Sequence, residues 1–130
     1  INAQKDLENC EWTEYFFQNG NLSSEGCFVN GIPEGIWKSY FESGNLKSLG
    51  LRNLNKLEGI WVFYRENSSL EKEIYYRNDK KEGKEIIYYE NGNISTITNW
   101  LSGFKEGFEY CHFPEGQIQY KIKLKENKKH

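Results

Sequence analysis

A period constrains this chain more than anything else in it. Glu-Gly occurs at Glu34-Gly35, Glu58-Gly59, Glu82-Gly83 and Glu106-Gly107, and successive glycines are 24 residues apart (59 less 35, 83 less 59, 107 less 83). A second series, Gly20, Gly44, Gly92 and Gly116 with Ser68 standing in once, keeps the same step, and Leu22, Leu46, Leu70, Ile94 and Ile118 follow it two residues later. Five units result, at approximately 11-34, 35-58, 59-82, 83-106 and 107-130, behind an N-terminal lead-in of residues 1-10. A fixed period of this size marks a repeat architecture, in which no unit can bury its own apolar face and stability comes from stacking neighbours. The unbroken period leaves no linker, so residues 1-130 are read as a single repeat domain.

The first half of each unit alternates aromatic and β-branched residues, as in Trp61-Val62-Phe63-Tyr64, which is strand composition. Asn19-Gly20 and Asn91-Gly92 are hairpin signals, and a further turn at Asn30-Gly31, Asn55, Asn78-Asp79 or Ser102-Gly103 leads into the next Glu-Gly. No segment carries the helical period over sufficient length. The expected fold is therefore all-β: an elongated single-layer antiparallel meander of consecutive β-hairpins, with about ten strands, two for each unit.

A two-residue type I′ loop at Asn-Gly predicts that Phe17 faces Leu22, Phe41 faces Leu46, Tyr89 faces Ile94 and Phe113 faces Ile118, all on one face. Arg65 opposite Leu70 breaks that ladder. Trp37 falls across from Gly50, whose bare backbone an indole can cover. Tyr40, Tyr64 and Tyr88 share one repeat position and are expected on the opposite face.

Composition sets limits on function. With 17 basic and 19 acidic side chains the net charge is -2, which gives no electrostatic basis for binding nucleic acid. No apolar run approaches the roughly 18 residues of a membrane span. The 16% of aromatic residues, against 37% apolar overall, points to a thin structure whose core is largely aromatic. An enzyme needs a constellation that is not repeated. Glu34, Glu58, Glu82 and Glu106, like Glu42, Glu66 and Glu90, recur with the period and are read as serving turns and solubility. His112 is singular, but it occupies the repeat position of the tyrosines and is read as a packing residue. Neither a nucleophile elbow nor a Gly-rich phosphate loop is present. No catalytic residue, metal site or cofactor is expected.

The pattern Gly-x-Trp-x-x-Tyr-[Tyr/Phe]-Glu-[Asn/Ser]-Gly-Asn-Leu-Lys, at Gly35 to Lys47 and echoed at Gly83 to Ser95, resembles the MORN-repeat variant of bacterial proteins often described as antitoxin-like. That resemblance implies a single-layer sheet of hairpins and a non-enzymatic, protein-binding scaffold. It further implies an antitoxin or immunity protein that neutralises a cognate protein toxin; the alternative is an exported or envelope-associated adaptor binding protein, glycan or lipid. Units four and five depart from the pattern by placing Glu85 and Glu109 where the Trp stands, and unit three lacks the turn glycine at Ser68-Ser69.

Tyrosine and arginine are enriched among interface hot spots, so Tyr40, Tyr64 and Tyr88, with Arg65, are the expected partner-binding residues. Trp12, Trp100 and Phe104 are read as end-capping and turn packing, and the Asn-x-Ser sequons at Asn21, Asn67 and Asn93 as products of turn composition. In the hairpin register Trp12 faces Cys27 and Cys10 faces Val29, which makes Cys10 and Cys27 diagonal neighbours on one face. Two readings stay open: a disulfide, or two reduced thiols. The first agrees with an export-signal remnant at Ile1 to Gln4, the second with a cytoplasmic protein, and an arbitrary chain boundary explains the start equally well. Cys111 is read as a buried thiol. Lys121, Lys123 and Lys125 are expected to blunt the C-terminal sheet edge.

Overall fold

The computed structural model describes residues 8–124. The residues Ile1 to Gln4, on which the expected export-signal remnant falls, and Lys125 to His130 lie outside the described residues. Ten strands follow in order: β1 (Cys10–Phe16), β2 (Leu22–Val29), β3 (Ile32–Tyr40), β4 (Leu46–Asn53), β5 (Lys56–Tyr64), β6 (Leu70–Arg77), β7 (Lys80–Tyr88), β8 (Ile94–Leu101), β9 (Phe104–His112) and β10 (Ile118–Lys123). They form one antiparallel sheet in chain order, with no helix among the described residues. This is the all-β, single-layer meander that the period predicts.

The type I′ turns do not lie at the Asn19-Gly20 and Asn91-Gly92 loops, where the sequence predicts them, but between units. A type I′ turn needs positive φ at both central residues, and that condition is met between units: at Asn30 and Gly31 (53° and 78°), Leu54 and Asn55 (51° and 69°), Asn78 and Asp79 (53° and 74°), and Ser102 and Gly103 (49° and 87°). At Asn19-Gly20 only the glycine is left-handed. Phe17 N donates to Asn21 O at 2.7 Å and Gly20 N to Phe17 O at 2.9 Å, which closes a three-residue loop with a bulge at its glycine. The Asn19 side chain accepts from Asn21 N at 2.8 Å, so Asn19 serves the loop through its amide oxygen rather than through a left-handed backbone. Ser68 takes the glycine's role at φ 75°, and the same two hydrogen bonds form around it at 2.8 Å, so the missing glycine does not change the loop.

The longer loop corrects the expected ladder. The partners of Leu22, Leu46, Leu70, Ile94 and Ile118 are Phe16, Tyr40, Tyr64, Tyr88 and His112, each one residue earlier than predicted. A bulge then restores the predicted pairing further along, so Trp12 does face Cys27 and Trp37 does face Gly50. The tyrosines thus supply the aromatic half of the ladder rather than facing away from it, and Arg65 does not stand opposite Leu70.

Each Glu-Gly makes a second irregularity, between units. Gly35, Gly59, Gly83 and Gly107 are all left-handed, with φ of 79°, 69°, 73° and 70°, and the pairing between units slips beside them. The excess chain lays an indole back over the preceding strand: a Cβ at Gly26 would overlap the Trp37 ring, and one at Gly50 the Trp61 ring. Each indole nitrogen donates to that strand, Trp37 Nε1 to Cys27 O at 3.2 Å and Trp61 Nε1 to Leu51 O at 3.1 Å. Trp37 therefore covers Gly26, and Gly50 is covered by Trp61. Where the Trp is lost, the strand behind carries a larger residue: Ile74 pairs with Glu85 and Thr98 with Glu109.

In the first three Glu-Gly pairs the glutamate reaches the next inter-unit turn. Glu34 accepts from Leu54 N at 2.8 Å, Glu58 from Asn78 N at 2.6 Å and Glu82 from Ser102 N at 2.8 Å. The loop asparagines do the same at the other end of the strands, where Nδ2 of Asn21, Asn45 and Asn93 donates to the carbonyl of Glu42, Glu66 and Pro114, each at 2.8 Å. In the sequons at Asn21 and Asn93, the nitrogen that a glycan would occupy is engaged in the sheet.

Candidate functional site

Pairing and alternation define two faces. On the first, which carries the indoles of Trp37 and Trp61, lies Ile74 as well, and the core of the sheet is small: among the described residues Cys27, Trp61 and Ile74 are the buried apolar ones, with Ser48 and Thr98 the buried polar ones. On the second lie Tyr40, Tyr64 and Tyr88, with Lys38, Leu49, Val62 and Ile86 in the next row.

The three tyrosines share a row but not an environment. Tyr40 bonds through its hydroxyl to Glu25, and Tyr88 donates to Glu73 Oε1 at 2.7 Å. Loss of solvent, reinforced by that carboxylate, holds the Tyr40 phenol well above its ordinary pKa, and the same causes push Tyr88 up to about 12. Both hydroxyls are committed to the sheet. At Tyr64 the residue in the place of Glu25 and Glu73 is Leu49, and its ring lines a hollow of about 220 Å³ with Leu46 and Ser68. Arg65 is also committed: Nη2 donates to Tyr88 O at 2.5 Å, and Nη1 to Leu70 O at 3.0 Å and Ser69 Oγ at 3.2 Å. Of the four residues expected to bind a partner, Tyr64 alone keeps its polar group uncommitted within the described residues.

Beside the tyrosine row runs an apolar row that sequence reasoning missed. Ile36 pairs with Leu51 and Ile60 with Tyr75, and these four side chains are 40%, 44%, 59% and 43% exposed. Alternation along Gly35 to Tyr40 and Gly59 to Tyr64 carries the signal, because it puts Ile36 and Ile60 on the tyrosines' side. Ile60 and Tyr75 line a further hollow of about 230 Å³ with Lys84 and Ile86. On the indole face a larger concavity, about 430 Å³, opens over the first three units.

The remaining singular residues are structural in their contacts. His112 occupies the tyrosine position opposite Ile118, and its Nδ1 is buried without a hydrogen-bond partner. None of these three concavities is lined by it. Trp100 Nε1 donates to Glu85 at 2.9 Å, and Lys81 lies 4.7 Å from its ring centroid while bridging the same carboxylate at 3.1 Å. Phe104 pairs with Leu101 across an inter-unit turn. Cys10 and Cys27 are joined by a disulfide with Cα atoms 5.3 Å apart, closer than diagonal neighbours in a flat ladder, at about 7–8 Å. Cys111 is a free, half-buried thiol. Among the described residues no group of three or more His, Cys, Asp or Glu could hold a metal ion, and no helix is long and apolar enough to cross a membrane.

Comparison with known families places this geometry. The profile described as MORN repeat variant matches residues 13–30, 33–52, 57–78 and 81–101, four stretches that lie mainly in the first four units in turn. No curated protein matches the chain.

Proposed function

The chain belongs to the MORN repeat variant family, and from that premise we propose that it is a non-catalytic scaffold that binds a protein partner across its tyrosine face. The observation that carries this reading is the uncovered row Ile36, Leu51, Ile60 and Tyr75 beside Tyr64. Contiguous exposed apolar surface in a folded protein marks an interaction site, and a tyrosine with an uncommitted hydroxyl supplies contact area with little loss of rotamer freedom. Tyr40, Tyr88 and Arg65 form the frame of that surface.

Neutralisation of a toxin, as an antitoxin or immunity protein, is the finer reading, and it rests on the family resemblance. The exported-adaptor alternative draws support from the Cys10–Cys27 pair, since disulfides persist in oxidising compartments. Recovery of the partner from the source cell, followed by calorimetry on the purified pair, tests the surface. Tyr64→Ala and Ile60→Lys should each weaken binding by about 30-fold, the equivalent of about 2 kcal/mol at a hot spot. If Tyr64→Ala, Ile60→Lys and Arg65→Ala all leave affinity unchanged in folded protein, the tyrosine face is not the interface. Growth arrest by the partner expressed alone, relieved by co-expression of this chain, separates the toxin reading from the adaptor.

A further inference from the structure

One row of side chains on the indole face crosses every strand. Through successive pairings it runs Tyr15, Ser24, Ser39, Ser48, Phe63, Lys72, Ile87, Thr96, Cys111 and Tyr120. In a repeat protein, departure from the period marks what stacking alone does not require. Three adjacent strands here carry serine, whereas the strands from β5 to β7 carry Phe, Lys and Ile. The missing volume is the concavity of about 430 Å³, with Tyr15 at one end, the serines along its floor and Trp37 and Trp61 beside them.

The trough has definite chemistry. Ser39 Oγ and Ser48 Oγ are 2.5 Å apart, and each hydroxyl can turn to donate or accept. Arg52 lines the trough on the same face, and no carboxylate lines it. Its guanidinium lies 5.6 Å from the Trp61 ring centroid, while Nη1 donates to Asn55 O at 3.2 Å and Oδ1 at 3.3 Å. Held in that way, it leaves Nε and Nη2 without an acceptor among the described residues, which is the fork a carboxylate accepts. From Tyr15 on β1 to Trp61 on β5 there are four strand spacings, about 19 Å at about 4.8 Å each, the span of about six residues of extended chain.

We propose that this serine-floored trough binds an extended acidic segment of a protein partner, with an Asp, Glu or C-terminal carboxylate seated on Arg52. The inference rests on reading the chain as a protein-binding scaffold, but it uses the face opposite the tyrosines. The partner's backbone groups meet the serine hydroxyls, and its apolar side chains lie against Tyr15 and Trp37. The strands that form the floor are paired on both edges, so recognition runs through side chains and not by strand addition.

A phage-displayed library of random heptapeptides, selected on the full chain, tests this, with the enriched peptides resynthesised and titrated by calorimetry. Enriched peptides should share an Asp, a Glu or a free C-terminus. Arg52→Gln should weaken an acidic peptide at least tenfold while leaving its Asn or Gln analogue unchanged, and Ser48→Leu, which fills the trough, should abolish both. Because Ser48 is buried, circular dichroism accompanies that variant, and Arg52→Gln stands as the test if it unfolds. Ile60→Lys, on the other face, should leave peptide binding intact. Absence of enriched peptides, or peptides indifferent to Arg52→Gln, overturns the inference and leaves the tyrosine face untouched. Peptides lost with Ile60→Lys but not with Arg52→Gln support the tyrosine face and likewise overturn the trough.

Discussion

Adding one methyl group at Gly50 should destabilise this protein more than most single substitutions in it. Gly50 is not in the left-handed region, so its backbone accepts alanine without strain, and replacing a strand glycine would otherwise stabilise by about 0.4–1 kcal/mol. The methyl, however, occupies the space of the Trp61 ring, a side chain only 6% exposed. A shift of the ring to relieve overlap costs about 1–3 kcal/mol. Full expulsion exposes roughly 200 Å² of aromatic surface, about 5 kcal/mol at about 25 cal/mol per Å², and breaks the bond from Trp61 Nε1 to Leu51 O. Gly50→Ala should therefore lose about 2–4 kcal/mol in urea unfolding followed by tryptophan fluorescence. The decisive measurement is a cycle with Trp61→Leu: once the indole is gone the added methyl should cost little, so the two changes should be strongly non-additive. A Gly50→Ala loss below about 0.5 kcal/mol, or simple additivity, would refute the view that glycine is there to receive an indole.

Leu54 is the only aliphatic residue among the left-handed positions of the described residues and is 65% exposed, so Leu54→Asn should stabilise by about 1 kcal/mol, measured by the same unfolding assay. Ser68→Gly should gain a similar amount for the same reason, without altering the loop bonds from Arg65. The Tyr88 phenol has a raised pKa in the fold, so its contribution is complete below pH 10, the unfolded value, and is lost as pH rises towards about 12; Tyr88→Phe should lessen the fall of stability across that window, leaving the part that the raised Tyr40 contributes. The disulfide closes a sequence separation of 17 residues, so Cys10→Ser should cost about 3 kcal/mol, and unreduced, unfolded protein should show one alkylatable thiol, Cys111; three would remove the bridge and the physical argument for an oxidising compartment.

What the sequence determined by itself follows from repetition and alternation. A 24-residue step repeated without insertion dictates one meander, and side-chain alternation dictates which residues share a face, so Trp12 with Cys27 and the tyrosines in one row were legible. The recurring glutamates were legible as serving turns, but that their glycines sit at left-handed irregularities inside β3, β5, β7 and β9 was not. Turn type was not legible: Asn-Gly suits a type I′ loop and a three-residue bulged loop alike, and the choice moved the ladder from Phe17, Phe41 and Tyr89 to Phe16, Tyr40 and Tyr88.

Only tertiary structure decided which strand each indole covers, because the slip at Gly35 and Gly59 turns Trp37 and Trp61 towards the strand behind. It also decided that Arg65 is occupied by the carbonyls of Tyr88 and Leu70, contacts that join residues 23 and 5 positions apart. The trough is of the same kind. Ser24, Ser39 and Ser48 are unremarkable in the chain, at unequal spacings of 15 and 9 residues (39 less 24, 48 less 39). They become a site because antiparallel pairing sets them side by side on adjacent strands, about 4.8 Å apart, where the volume each one lacks adds to that of its neighbours.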